Sequence, residues 1–255
     1  MRSLEVLFAP AEFAALGDIS LSGTVCVVFD VLRATSSMVT ALSNGAKAII
    51  PVAEIPEALQ IRSRREDVLL AGEREGVRIP AELTGSIAFD LGNSPREFTR
   101  EIIAGRTIVM TTTNGTRALR ACAHARKVLV SSFLNLRATA NLLEREAPPH
   151  LVLVCSGTHE ESAYEDVLCA GALCDLLWAK WNGGRVSDSA LIARKLFCVE
   201  RQDLFEGVSQ SRNGRRLLSL PELKEDVRFC VQRDTLKAVP EMGNDGQVTL
   251  QEPGA

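Results

Sequence analysis

The stretch "TIVMTTTNGTRALRACA", Thr107 to Ala123, admits two readings, and the fold turns on the choice between them. Asn114-Gly115 between apolar runs is a strong short-range signal for a β-hairpin turn. Three threonines precede the pair, however. After it Leu119, Cys122, Ala123 and Arg126 recur at three- and four-residue steps, which is a helical period. The second reading is a strand that ends in a polar loop and feeds a helix, with Thr116 as the helix N-cap.

The rest of the chain favours the second reading. Short, near-continuous apolar runs recur at 5–9, 24–30, 46–53, 67–73, 107–112, 127–133 and 150–156. Such runs are expected of strands covered on both faces. Helix-like segments separate them at 35–44, 56–65, 96–104, 116–126, 136–146 and 162–181. Strands alternating with helices predict a three-layer α/β/α sandwich with a largely parallel or mixed central sheet. From about residue 185 the texture becomes helix-like and charged. The expectation is one domain over 1–255: a core of about 1–184 and a C-terminal helical extension of about 185–255. The extension would pack on the sandwich and close with a short strand in "GQVTLQ".

Composition narrows the function. A chain of 255 residues with 46% hydrophobic content has ample material for a core, and its net charge of −3 gives no general attraction to nucleic acid or anionic membrane. No apolar run approaches the roughly 20 residues that span a bilayer, and "MRSLEVLFAPAEF" lacks the pattern of a signal peptide. Seven cysteines form no CxxC pair and sit mostly in apolar runs, so they read as buried, reduced thiols. The expected compartment is the cytoplasm, and a homodimer is the default expectation for such a protein.

Polar residues gather where the predicted strands end, the edge at which open α/β sheets bind ligands. "VVFDVLRATSSM" places Asp30 after a strand, then Arg33, then Thr35 where a helix N-cap belongs. Asp30 there suits a metal ligand or a nucleophile toward phosphorus, and the spacing does not choose between them. Arg33 beside a helix N-terminus suits an anion; the bland reading is a cap and an ion pair. "LLAGEREG" offers Glu73, against the rival of a solvated charged loop. "FDLGNSPREF" offers Asp90 and Asn93, against a plain turn followed by a helix start. In the opening stretch Thr113, Asn114, Gly115 and Thr116 form a recipe for cradling phosphate or sulfonate. "AYEDVLCAGAL" adds Asp166, otherwise a surface helix charge.

Several phosphate-handling machines are absent: GxxxxGK[ST], GxGxxG, the Cys-to-Arg loop of cysteine phosphatases and the DxDx[TV] pair. Three histidines make a His-rich metal centre improbable. The remaining carboxylates are hard oxygen ligands, which point to Mg²⁺ if a metal is used.

Together, "FDVLRATSSMVTAL", "LLAGERE", "FDLGNSP", "TTTNGTRAL" and "AYEDVLCAGAL" resemble, in order, the motifs of the 2-phosphosulfolactate phosphatase family. The resemblance runs from about Val25 to Ala172 and continues loosely into "NGRRLLSLPELKEDVRFC". It implies an α/β/α sandwich of its own type and Mg²⁺-dependent conversion of 2-phospho-3-sulfolactate to 3-sulfolactate and phosphate, on the route to coenzyme M. Motif positions carry the expected site onto Asp30, Arg33, Thr35, Glu73, Asp90, Asn93, Thr113, Asn114, Thr116 and Asp166. Asp30, Glu73, Asp90 and Asp166 would supply metal ligands, and Asp30, Arg33, Thr35 and Asn114 the catalytic groups. Asn93, Thr113, Gly115 and Thr116 would bind a small phosphorylated, sulfonated substrate. The loop "EGVRIPAELTGSIA" before Phe89 is longer than the family usually has, which bears on substrate identity. Two rivals stand beside this reading: a phosphatase for another small phosphomonoester, and a binding protein that holds such an anion without turnover.

Overall fold

The computed structural model describes residues 2–18 and 21–250. The apolar runs become strands: β1 (Ser3–Leu7), β2 (Thr24–Phe29), β3 (Ala48–Val52), β4 (Leu69–Arg74), β6 (Thr107–Thr111), β7 (Lys127–Ser131) and β8 (His150–Cys155). Short additions are β5 (Val77–Arg78), β9 (Arg185–Val186), β10 (Pro240–Met242) and β11 (Val248–Leu250). β2 shows why such runs must be strands here, since it is buried along its whole length. Val25, Val27 and Phe29 enter one core while Cys26 and Val28 enter the other, the period of two that a sheet covered on both faces imposes.

Helices fill the two outer layers. α7 (Leu136–Glu146), α8 (Tyr164–Trp181), α9 (Asp188–Glu200), α10 (Leu204–Ser209), α11 (Arg212–Leu218) and α12 (Lys224–Cys230) contribute to the core under Val25 and Phe29. The opposite core takes Phe13 of α1 (Pro10–Ala14), Met38 and Leu42 of α2 (Ala34–Ser43) and Leu119 of α6 (Gly115–Ala121). α3 (Ile55–Arg64) closes a smaller core against Val52, Leu70 and Val109. Two short helices, α4 (Ala81–Thr84) and α5 (Arg100–Ile103), complete the set. The chain is therefore an α/β sandwich with a mixed sheet. α8 is buried along most of its length, and a β-carbon at Gly171 would lie 2.0 Å from the Ala193 carbonyl oxygen, so glycine lets α8 and α9 touch through backbone.

The sheet order is β5-β4-β6-β3-β11-β10-β7-β2-β8-β1-β9. It consists of two parallel blocks, β4-β6-β3 and β7-β2-β8-β1-β9. The hairpin β10–β11 lies between them and is antiparallel to both flanks. It pairs only with Ile49 on one side and Val128 and Leu129 on the other. Two antiparallel steps and the one inside the hairpin reverse strand direction between the blocks. Twist of roughly 20–25° per neighbouring pair accumulates across the same steps, and the loops leaving β2 and β6 come into contact.

Asn114-Gly115 is a strand-to-helix turn, as the sequence reading expects: β6 pairs in parallel with β3 and β4, and the chain enters α6 directly. Two other expectations change in detail. The single helix expected at 96–104 is a 3-10 turn, Pro95–Glu97, followed by α5. The segment after residue 185 supplies the expected helices and also the hairpin at the centre of the sheet, so it is more than an outer layer. The strand expected in "GQVTLQ" is β11, with Gln251 outside the described residues.

Candidate active site

Asp30 follows β2 and is 8% exposed. Its Oδ1 accepts from the Ala34 amide at 3.1 Å, which fixes the carboxylate over the start of α2. α6 begins beside it: a β-carbon at Gly115 would sit 2.7 Å from Asp30 Oδ2 and 2.7 Å from the Ala34 Cβ. The loops after β2 and β6 thus share one cleft. Glu73, at the end of β4, joins them. Its Oε1 accepts from the Thr113 amide and hydroxyl, both at 2.9 Å, and its Oε2 from the Gly76 amide at 2.8 Å. From the other block, Asp166 at the start of α8 accepts from the Val31 amide at 2.8 Å and the Ser156 hydroxyl at 3.1 Å. The cleft is lined by Asp30, Arg33, Glu73, Asn93, Thr113, Asn114 and Asp166, with Glu165, Asn213 and Arg216 among the further residues.

Four expected site residues are placed elsewhere. Thr35 and Thr116 are fully buried. Neither is an N-cap; Arg33 and Asn114 hold those positions. Both hydroxyls turn back onto the chain, Thr35 to the Asp30 carbonyl at 2.9 Å and Thr116 to the Thr112 carbonyl at 3.2 Å. This local bonding, common for threonine, removes them from substrate contact. Asp90 lies outside the cleft, because its carboxylate accepts from the Leu70 amide at 2.7 Å and from Arg62 at 3.1 Å. Gly115 shapes the cleft by lacking a side chain and does not line it.

Arg33 lines the cleft, yet it is not a free cation. It is 3% exposed, and its guanidinium meets Asp226 of α12 at 2.5 Å and the Gly76 carbonyl at 2.5 Å. Asp226 is wholly buried and also accepts from the Ser94 hydroxyl at 2.7 Å. Asn213 of α11 donates to Thr158 Oγ1 at 2.7 Å and to Glu165 Oε1 at 2.5 Å. Arg216 reaches the Glu75 carboxylate at 2.9 Å. Glu165 stands beside Asp166 in its motif, whereas Asn213, Arg216 and Asp226 lie outside the strand-end loops that the sequence points to. The available signal was "NGRRLLSLPELKEDVRFC", whose likeness to the family extended past the sandwich.

The electrostatics follow from crowding. Burial, with the charges of Glu73 and Glu165 adding to it, pushes the Asp30 carboxyl up to about 6. Burial first, then Asp30 and Glu165, pushes Asp166 well above the carboxylate range. Burial also raises Glu165. Desolvation raises all three, and like charges add to it for Asp30 and Asp166. The thiols are unsuited to attack: all seven cysteines are free, six are buried, and burial raises Cys155, Cys169, Cys174 and Cys230, among others.

Three buried side-chain oxygens on the cleft have no hydrogen-bond partner among the described residues: Asn93 Oδ1, Asn114 Oδ1 and Glu165 Oε2. Unpaired buried acceptors are costly unless a donor or cation meets them. An all-oxygen set of carboxylates and amide carbonyls fits a hard cation such as Mg²⁺ in donor chemistry. Among the described residues no three His, Cys, Asp or Glu side chains form a ready ligand group.

The chain matches the family model described as 2-phosphosulpholactate phosphatase over residues 14–245. It is 37% identical to a Caldicellulosiruptor saccharolyticus protein over 238 residues, covering 92% of this chain and 95% of the other. It is 42% identical to one from Thermotoga petrophila, covering 89% and 92%, and 38% identical to one from Symbiobacterium thermophilum, covering 91% and 96%. All three carry the name probable 2-phosphosulfolactate phosphatase. Fold, cleft and relatives together define an enzyme of the phosphoric monoester hydrolase class. Within that class the chain belongs to the 2-phosphosulfolactate phosphatase family. No helix among the described residues is long and apolar enough to cross a membrane.

Proposed function

We propose that this chain hydrolyses 2-phospho-3-sulfolactate to 3-sulfolactate and phosphate, with Mg²⁺ as cofactor, as a cytoplasmic step toward coenzyme M. The observation that carries the metal requirement is the trio of partnerless oxygens in a cleft already crowded with carboxylates. A phosphate dianion cannot settle among Asp30, Glu73, Glu165 and Asp166 unless positive charge accompanies it. One or two of Asp30, Glu165 and Asp166, with the Asn93 and Asn114 carbonyls, would hold the cation, water completing its shell. Bound there, it supplies Lewis-acid stabilisation of charge on the phosphoryl group.

The protein's own part is positional. Glu73 fixes Thr113 through two hydrogen bonds and so sets where Asn114 faces the cleft. Asn213 holds one oxygen of Glu165 and leaves the other toward the cleft. Arg33, neutralised by Asp226, acts as a post between the β2–α2 loop and α12. Asp30 would serve as a cation ligand, its Oδ1 fixed by the Ala34 amide, and water would be the attacking group.

The test is phosphate release from 2-phosphosulfolactate with Mg²⁺ and with EDTA, beside a panel of phosphomonoesters with and without a sulfonate. Release that depends on Mg²⁺ and is greatest for the sulfonated ester is the expected result. Metal-independent release, or full activity in Asp30→Asn, would overturn the mechanism; preference for an unsulfonated ester would overturn the substrate.

A further inference from the structure

A second cleft adjoins the first. It has a volume of about 400 Å³ against about 70 Å³ for the acidic cleft, and the two share Arg33, Gly76 and Asn93 as a common wall. Their charges differ. Asp30, Glu73, Glu75, Glu165 and Asp166 face Arg33 and Arg216 in the first, whereas in the second Arg78 and Arg96 stand against only Glu97 and Glu222, Arg33 being matched by Asp226. Glu97 is also turned away in part, with Oε2 accepting from the Gly92 amide at 2.8 Å.

The two outer arginines retain donors. Arg78 gives one Nη1 bond to the Asp90 carbonyl at 3.3 Å, and Arg96 Nη1 stands 3.5 Å from Asp226. Their other N–H groups have no protein partner among the described residues. Asp226, already bound to Arg33 and Ser94, leaves the Arg96 guanidinium only loosely held, with its side chain 46% exposed. A guanidinium presents five donors in a plane and matches an oxyanion with two or three equivalent oxygens. The inner arginine has its charge matched by buried Asp226, which makes the outer pair the cations left to a ligand.

We infer that Arg78 and Arg96 form a subsite for a second anion, the sulfonate of a substrate whose phosphate occupies the acidic cleft. Resting on the proposed function, this assigns specificity to residues that neither touch the phosphate nor hold the cation. It also divides the work by charge: the carboxylate cleft takes the phosphate with its cation, and the arginine cleft takes the anion that comes without one.

The experiment compares kcat/KM for 2-phosphosulfolactate and for glycerol 2-phosphate in wild type, Arg78→Gln, Arg96→Gln and the remote Arg120→Gln, which pairs with Glu57. Inhibition by sulfoacetate is measured alongside. One lost charge-assisted hydrogen-bond pair corresponds to about a tenfold effect. The sulfonated-to-unsulfonated ratio should fall about tenfold in each cleft variant, sulfoacetate inhibition should weaken in parallel, and Arg120→Gln should keep the wild-type ratio. An unchanged ratio and unchanged inhibition in Arg78→Gln and Arg96→Gln overturn the subsite. If wild type fails to hydrolyse 2-phosphosulfolactate but sulfoacetate still inhibits in an arginine-dependent way, the substrate reading fails and the subsite stands.

Discussion

There is no room for a β-carbon at position 115, where a methyl would meet Asp30 Oδ2 and the Ala34 Cβ, both at 2.7 Å. Gly115→Ala should therefore force the β2 and β6 loops apart. Overpacking of this kind costs about 1–3 kcal/mol, readable as a lower urea midpoint, and activity should fall more than stability because the moved group is Asp30 itself. Asp30→Asn should act in opposite directions on the two properties. The Asp30 carboxyl is raised from 3.8 to about 6, so the folded state binds that proton more tightly than the unfolded chain. Its contribution to stability is present below about pH 4 and is lost as pH rises through about 6. In EDTA, wild type should lose stability across that window and Asp30→Asn should lose less, with a gain of about 1–3 kcal/mol at pH 7. Phosphatase activity should drop about 100-fold or more. Thermal melts at pH 4, 5, 6 and 7 beside a phosphate-release assay check both halves.

At the scale of elements, α12 ties the site together through one carboxylate. Removing one partner of a buried pair leaves the other charge uncompensated, at about 3–5 kcal/mol. Asp226→Ala should thus destabilise by that amount, and a double change with Arg33→Met should recover part of it, as judged by denaturant midpoints. Asp226 was not legible in "PELKEDVRFC", where it looks like any solvated helix charge. Only docking of α12 against Arg33 and Ser94 buries it. Thr35 and Thr116 misled in the reverse sense, because sequence cannot distinguish a cap hydroxyl facing a ligand from one bonded to its own preceding turn. The strands were legible because β2, β3, β6, β7 and β8 are continuous apolar runs that suit only a covered sheet. Glu73, Asn114 and Asp166 were legible for a related reason: each is a polar residue at the end of a buried strand or at the start of a helix.

For the whole molecule, the decisive element is the hairpin β10–β11, three residues per strand and too short to signal its place in advance. It supplies the pairing that makes one sheet of two blocks. Deleting residues 240–250 should expose the facing edges of β3 and β7, and unpaired edges invite association with other chains. The expected outcome is a chain that elutes as aggregate on size exclusion and lacks a cooperative melt. A monomer with wild-type unfolding would show that the blocks hold together without it.

The hairpin also sets an order of events during synthesis. Both blocks emerge from the ribosome before residue 240, each with an open edge and with helix-covered faces able to form around it. Asn213 and Asp226 likewise arrive after every strand-end carboxylate. A growing chain therefore passes through a stage in which Asp30, Glu73 and Asp166 exist but Glu165 lacks Asn213 and Arg33 lacks Asp226. Catalytic competence and closure of the sheet are consequently late and nearly simultaneous, so an incompletely made chain is both inactive and exposed to chaperones and proteases.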